Sequence, residues 1–305
     1  MCDWIGIEEV VAIVDAGSFA GAARALGTST SHISRAVAEL EQKLQGELFH
    51  RTTRKVGLTD LGRTLVEHFR RLIQDRDEAL AWASGDGEPH GELRISCSIA
   101  LGERFVAPIV RRFAQRFPAL SVTMDLSNRM VDIIAEGYDL AIRTGQLGDP
   151  RLTGTRLASR KLILCASRDY VEHRGAPQSI AALAEFDCLV GSAQTWHFRD
   201  QGRDIAYRPS GRWRCNSGVA VLDAMLADMG ISQLPEFYLK GHIGQELVEL
   251  LPQYRVADEP IWGAYSRRRH LTPKLRQMLA YLAEGLGPAL DTDGAAMDYA
   301  ADGRI

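Results

Sequence analysis

The stretch from Ser18 to Leu44, SFAGAARALGTSTSHISRAVAELEQKL, constrains the fold most, because it reads as two short helices joined by a tight turn. Ser18 is a good N-cap. Phe19, Ala22, Ala23 and Leu26 fall on one face at helical spacing, and Gly27 stands where a left-handed residue ends a helix. Hydroxyls from Thr28 to Ser31 can cap a second helix, whose apolar positions Ile33, Val37, Leu40 and Leu44 again lie three and four apart. Ala20, Ala22, Ala23 and Ala25 let a neighbouring helix cross closely, as a helix-turn-helix requires. The second helix carries Ser29, Thr30, Ser31, His32, Ser34 and Arg35 on its first turns. These are short donors and one forked cation, suited to base edges and phosphates in a major groove. An ordinary solvated helix with a Ser/Thr-rich cap remains the alternative.

The following run, Gly46 to Thr59, places Arg51, Thr53, Arg54 and Lys55 in a turn between two short apolar segments. A basic hairpin beside a helix-turn-helix reads as a wing that holds phosphates. In order, SFAGAARAL, HISRAVAELEQKL and ELFHRTTRKVGLTDLG resemble the N-terminal winged helix-turn-helix of LysR-type transcriptional regulators. Two departures stand out: Gln45, where the family more often has a Leu-Gly pair, and Thr30-Ser31-His32, where Gln and Pro or Ala are frequent. The first concerns backbone geometry, the second sequence preference.

Charge refines this reading. The formal net charge is −3, and within residues 1–60 Arg24, Arg35, Lys43, Arg51, Arg54 and Lys55 are outnumbered by acids. DNA binding must therefore be local, oriented and salt-sensitive, helped by dimerisation. With 46% hydrophobic and 25% charged residues over 305 positions, the chain can build two or three domains with real cores. No run of eighteen apolar residues and no secretion signal occurs, so a cytoplasmic protein is expected. Cys2, Cys97, Cys165, Cys188 and Cys215 are scattered and lack CxxC spacing, which favours reduced, packed thiols over a zinc site, with a redox pair as the alternative.

Ile7 to Ala16 forms a first helix with Ile7, Val10, Val11, Ile13 and Val14 as its apolar face. From Asp60 to Ala83, Leu61, Leu65, Phe69, Leu72, Ile73 and Leu80 give a long helical stripe. The resemblance implies that it packs on the same helix of a second chain, giving a homodimer and, through pairs of dimers, a homotetramer. Ser84 to Gly91 is rich in turn formers and reads as a hinge. Beyond it, strand and helix signals alternate, including a helix near Met130 to Glu136, which argues for parallel sheets covered by helices.

The segments GELRIS, RFPALSVTMDLSN, GYDLAIRTG and MGISQLPEF resemble the regulatory part of the same family: two Rossmann-like α/β subdomains similar to type 2 periplasmic binding proteins, with the chain crossing twice between them. The organisation expected is a winged helix-turn-helix over 1–60, a linker helix over 61–84 and a hinge over 85–91. Effector subdomain I then covers 92–160 and 267–288, subdomain II covers 161–266, and 289–305 form a disordered tail.

Ligands of open parallel sheets bind outside the carboxyl ends of strands. That rule lines an effector cleft with Ser98, Ala100, Leu101, Ser127, Asn128, Arg143 and Thr144 from the first subdomain. The second supplies Ser192, Thr195, Trp196, Asn216, Ser217 and Gly218. Ser217 and Gly218 open a helix that could hold an anion opposite Arg143, and Trp196 could cover an apolar body, so the expected effector is a small carboxylate or aromatic compound. Each has a structural alternative: Arg143 pairing with an acid, Asn216 and Ser217 capping their helix, Trp196 in the core. HExxH, GxSxG and GxxxxGK[ST] are absent, which argues against an enzyme, and no resident cofactor or metal is expected. A solute-binding module would account for the second half alone. The partners expected are a double-stranded DNA operator, the effector, a second copy of the chain and RNA polymerase.

Overall fold

The computed structural model describes residues 5–50, 56–83, 88–129, 131–267 and 271–292. It divides into two compact units, 1–87 and 88–305. Among the described residues no helix is long and apolar enough to cross a membrane.

The first unit is a three-helix head followed by a hairpin and a long helix: α1 (Ile7–Ala16), α2 (Phe19–Ala25), α3 (Thr30–Leu44), β1 (Phe49–His50), β2 (Gly57–Leu58) and α4 (Asp60–Ala83). Caps set the boundaries. Ser18 Oγ accepts from Gly21 N–H at 3.0 Å, and Ser29 Oγ from His32 N–H at 3.1 Å. Gly6 has φ +96°, and a Cβ there would lie 2.6 Å from Leu40 Cβ and 2.7 Å from the Ala36 carbonyl, so only glycine lets α1 start against α3. Gln45 closes α3 at φ 52°, a left-handed conformation that costs a non-glycine residue roughly 1–2 kcal/mol.

Val10, Ile13, Ala22, Ala23, Ile33, Val37, Leu40, Leu48 and Phe49 form the core of the head, as the helical spacing requires. The apolar stripes nevertheless end before the helices do. Leu26 is 41% and Leu44 36% exposed, because they lie on last turns that overrun the small core. The stripe of α4 is also split. Val66 and Phe69 are buried in the head's own core and Leu65 packs against it, while Leu61, Leu72 and Leu80 stay exposed. Ion pairs of Arg70 with Asp15 and of Arg76 with Glu8 bind α4 to α1. The helix therefore packs in part on its own head, and only the remainder of its apolar surface is left for a partner.

The second unit contains β3 (Gly91–Cys97), α5 (Ile99–Leu101), α6 (Ala107–Arg116), β4 (Leu120–Leu126), β5 (Leu140–Thr144), β6 (Leu152–Arg160), β7 (Leu162–Ser167), α7 (Arg168–Arg174), β8 (Leu189–Val190), β9 (Trp196–Asp200), β10 (Arg203–Tyr207), β11 (Trp213–Arg214), α8 (Gly218–Leu226), β12 (Ser232–Pro235), α9 (Glu236–Leu239), β13 (Leu247–Glu249), β14 (Glu259–Ser266) and α10 (Pro273–Asp291). The first subdomain holds a sheet of order β4-β3-β5-β14-β6, and the second a sheet β12-β7-β13, a β8–β11 pair and a β9–β10 hairpin. Leu93, Ile95, Phe105, Ile109, Phe113, Met278, Leu282 and Leu286 fill the first core beneath α6 and α10.

Five expectations need correction. The sheets are mixed: β3 runs parallel to β4 and β5, but β14 is antiparallel to β5 and β6. Strand β6 carries the chain out of the first subdomain and β14 brings it back, so adjacent crossing strands must run in opposite directions. For the same reason residues 259–266 belong to the first subdomain, not the second. Residues 133–137 form a turn rather than a helix, because the Asp132 carboxylate takes the Ile134 and Ala135 N–H groups at 3.1 and 3.0 Å and Gly137 reverses at φ +73°. The expected hinge runs into β3 at Gly91 and the expected tail into α10 up to Asp291. Residues 84–87 and 293–305 lie outside the described residues.

Candidate DNA-binding face and effector cleft

Helix α3 has two unlike sides. Ile33, Ala36, Val37 and Leu40 are buried, whereas Ser29, Thr30, Ser31, His32, Ser34 and Arg35 are all exposed on its first turns. Two of these six are partly committed. The Ser29 hydroxyl caps the helix, and His32 Nε2 lies 3.4 Å from the largely buried Glu9 carboxylate. Glu9 in turn accepts from Gly6 N–H at 2.8 Å, which tethers the imidazole to the start of α1. Arg35 has no partner among the described residues.

The β1–β2 hairpin is anchored beside this face. Glu41 Oε1 accepts from Leu48 N–H at 2.6 Å and Phe49 N–H at 3.3 Å, and Phe49 meets Phe19 edge-on with ring centroids 5.8 Å apart. Thr59 caps α4 through Gly62 N–H at 2.9 Å while its hydroxyl donates to the Glu47 carbonyl at 2.6 Å. His50 is exposed where the hairpin leaves the head. Arg51, Thr53, Arg54 and Lys55, the expected phosphate contacts, lie outside the described residues.

The second unit has a chamber of about 170 Å³ between its subdomains, opening into a mouth of about 550 Å³. Ser98, Leu101, Asn128, Thr144, Ser192, Thr195, Asn216 and Gly218 line the chamber, as strand-end topology predicts. The Asn128 carboxamide spans it, its Oδ1 accepting from Ile99 N–H at 3.1 Å and its Nδ2 donating to the Asn216 carbonyl at 2.6 Å.

Other expected residues lie elsewhere. Arg143 donates to Ser96 Oγ at 3.3 Å and to the Ile142 carbonyl at 3.2 Å, and burial lowers its pKa. No carboxylate pairs with it among the described residues. Neighbouring strand residues face opposite sides of a sheet, so Arg143 cannot share the chamber with Thr144. Trp196 is 1% exposed and packs in the second subdomain's core, 6.0 Å from the Tyr207 ring. The Ser217 hydroxyl caps α8 by accepting from Ala220 N–H at 3.4 Å. Ser127 turns its hydroxyl to Arg129 N–H at 3.2 Å, and Ala100 packs on the first core.

The sequence reading missed residues from the crossing strands and the hairpin. Arg160 and Glu259, paired at 2.6 Å and both largely buried, line the chamber beside Gln233, His197 and Tyr238. Gln233 accepts from His197 N–H at 2.9 Å and donates to its carbonyl at 2.8 Å, clamping β9 to β12. Tyr238 lies over the start of α8, where a Cβ on Gly218 would come within 2.3 Å of the ring, and burial raises its phenol pKa. It therefore covers the helix end expected to hold an anion. Among the described residues lining the chamber, one cation, Arg160, is matched by one anion, Glu259, and hydroxyls and amides make up most of the remaining polar lining.

These features coincide with known proteins along nearly the whole chain. Residues 7–63 match the family described as "Bacterial regulatory helix-turn-helix protein, lysR family" and residues 86–287 the "LysR substrate binding domain". The chain is 31% identical over 290 residues to the probable HTH-type transcriptional regulator LtrA of Klebsiella pneumoniae, covering 92% of this chain and 94% of that one. It is likewise 31% identical to the HTH-type transcriptional activator AaeR of Escherichia coli (strain K12), covering 89% and 90%. Among solved structures, CrgA, a LysR-type transcriptional regulator from Neisseria meningitidis, is 29% identical with a TM-score of 0.54, covering 92% of this chain and 98% of that one. A DNA-binding head that offers a polar helix face, joined in one chain to a two-subdomain effector unit, thus stands on matches to both parts: the chain belongs to the LysR family of transcriptional regulators.

Proposed function

We propose that α3 enters the major groove of a duplex operator with Ser31, Ser34 and Arg35 toward base edges and Ser29 and Thr30 toward phosphate, while the wing residues Arg51, Thr53, Arg54 and Lys55 hold the backbone. Tethered to Glu9, His32 orients α3 more than it reads bases. The exposed Leu61, Leu72 and Leu80 of α4 suit contact with a second copy, so that paired heads read two half-sites of a near-palindromic operator. A tetramer bridging two such sites, and RNA polymerase as the recipient of the signal, complete the proposal for a protein acting in the cytoplasm. A small molecule held between Ser98, Asn128 and Thr144 on one side and Ser192, Thr195 and Asn216 on the other controls it. Because the chamber's charges balance, a small carboxylate would have to draw on hydroxyls, amides and backbone N–H groups rather than on Arg143.

The observation that carries this reading is the two-sidedness of α3, apolar residues buried and Ser, Thr and Arg exposed with Arg35 unpaired among the described residues. Footprinting of the promoter region beside the protein's own gene, with wild type and Arg35→Ala, tests it. Protection by the wild type should weaken by roughly fivefold to 150-fold in the variant, since a bidentate Arg–base contact contributes about 1–3 kcal/mol. Equal protection by both would refute the assignment.

A further inference from the structure

Exposed arginines in this protein fall into two groups, those held in ion pairs and those, such as Arg24, Arg35 and Arg156, with no partner among the described residues. Arg63 pairs with Asp60, Arg129 with Glu136, Arg151 with Asp132 and Asp149, and Arg199 with Asp204. The segment 205–222 gathers three of the second group. It contains no Asp or Glu, yet carries Arg208, Arg212 and Arg214 in a chain of net charge −3. All three are exposed, and none makes an ion pair or hydrogen bond among the described residues. Trp213, between two of them, is 36% exposed.

The backbone holds this group in place. Strand β11 pairs in parallel with β8, Trp213 opposite Leu189 and Arg214 opposite Val190, and among the described residues no strand pairs with its other side. Gly211 lies so close that a Cβ would meet the Cys188 carbonyl oxygen at 1.8 Å, and Pro209 is buried. Arg208, Arg212 and Arg214 are therefore carried on and beside a fixed outer edge strand of the second subdomain, with Trp213 turned to the face opposite Arg214. Three like charges within seven residues, with no acid between Asp204 and Asp223, cost self-repulsion, which an anionic partner would relieve.

We infer that this edge is a second, sequence-independent contact for the phosphate backbone of duplex DNA. Guanidinium forks match phosphate oxygens in pairs without demanding sequence. DNA is favoured over an acidic polypeptide by the charge of the head. Cations there are outnumbered by acids across residues 1–60, so a regulator that must stay on DNA gains counterion release from a second site. The inference uses the family's DNA-binding role and does not depend on which α3 residues read bases.

The test compares the full chain with the triple variant Arg208→Gln, Arg212→Gln, Arg214→Gln, binding a labelled nonspecific duplex across a salt series. A control triple variant, Arg129→Gln, Arg151→Gln, Arg255→Gln, changes net charge equally at arginines that are already paired. The slope of log affinity against log salt should become shallower by about 2–3 in the first variant, at roughly 0.9 per lost phosphate contact, and stay near wild type in the control. Equal slopes in wild type and the first variant, or equal losses in both triples, would overturn the inference. An unchanged DNA slope with lost retention on polyglutamate would assign the edge to an acidic polypeptide, also overturning it. Thermal melts of both variants at the wild-type temperature establish that folding is intact.

Discussion

Asn128 is the side chain whose alteration should most directly shift the two effector subdomains. Its Oδ1 is held by Ile99 N–H within the first subdomain, and its Nδ2 reaches the Asn216 carbonyl of the second at 2.6 Å. A neutral hydrogen bond contributes a net ~0.5–1.5 kcal/mol, and the exposed Asn216 carbonyl can return to water when released. Asn128→Ala should therefore raise the open-to-closed ratio roughly two- to tenfold. Asn128→Asp separates latch from scaffold. A carboxylate still accepts from Ile99 N–H but sets acceptor against acceptor at Asn216, so opening should exceed that of the alanine variant while the first subdomain keeps its stability. Spin labels at Gln115→Cys and Arg203→Cys, with Cys2 and Cys215 replaced by Ser, report the separation by pulsed electron resonance. Distance distributions identical in wild type and Asn128→Asp would refute the latch.

Three further predictions concern packing and stability. Burial pushes the Cys97 thiol up to about 12 and Cys188 to about 11, and raises Cys165 as well, while the three lie in separate cores. Brief iodoacetamide labelling at pH 8 followed by mass spectrometry should mark Cys215 and spare these three; native labelling of Cys97 would contradict the packing. Because a raised folded pKa favours the protonated native state, the stability linked to these thiols is intact below the unfolded value of about 8.5 and is lost as pH climbs toward 11 and 12. Melting temperature should fall over that alkaline window, and a flat profile would count against it. Gly62→Ala should destabilise the head by about 1–3 kcal/mol, since a Cβ there would sit 2.1 Å from the Leu48 carbonyl oxygen; an unchanged head unfolding transition would refute this.

What could be read from the sequence was whatever local chemistry decides. Ser18, Ser29 and Gly17 mark helix ends by capping, and apolar spacing of three and four marks the faces that the head buries. The β9–β10 hairpin was also legible but overlooked: Trp196, Phe198, Ile205 and Tyr207 alternate around Gln201-Gly202, whose φ values of 47° and 80° suit a two-residue hairpin turn. Recognising that period of two would have sent Trp196 to the core and brought His197 to the cleft. The same period, applied to β5, separates Arg143 from Thr144. Non-local pairing could not be read. Nothing in residues 259–266 announces that they return to the first sheet beside β6, and the Arg160–Glu259 pair exists only because they do.

That return has a mechanical consequence. Two antiparallel strands joining the subdomains restrain sliding of one against the other but let the pair bend, and Arg160 opposite Glu259 lies where β6 leaves and β14 re-enters. The ion pair faces the chamber, so a ligand entering it meets the charges that stiffen the hinge as well as the Asn128 bridge. A ligand bound as proposed would couple binding to bending through shared groups rather than through a distant relay. An effector acts here by interacting differently with the bridged and unbridged arrangements, and one that left both the ion pair and the Asn128 contact untouched would have no differential contact at these groups with which to shift the equilibrium.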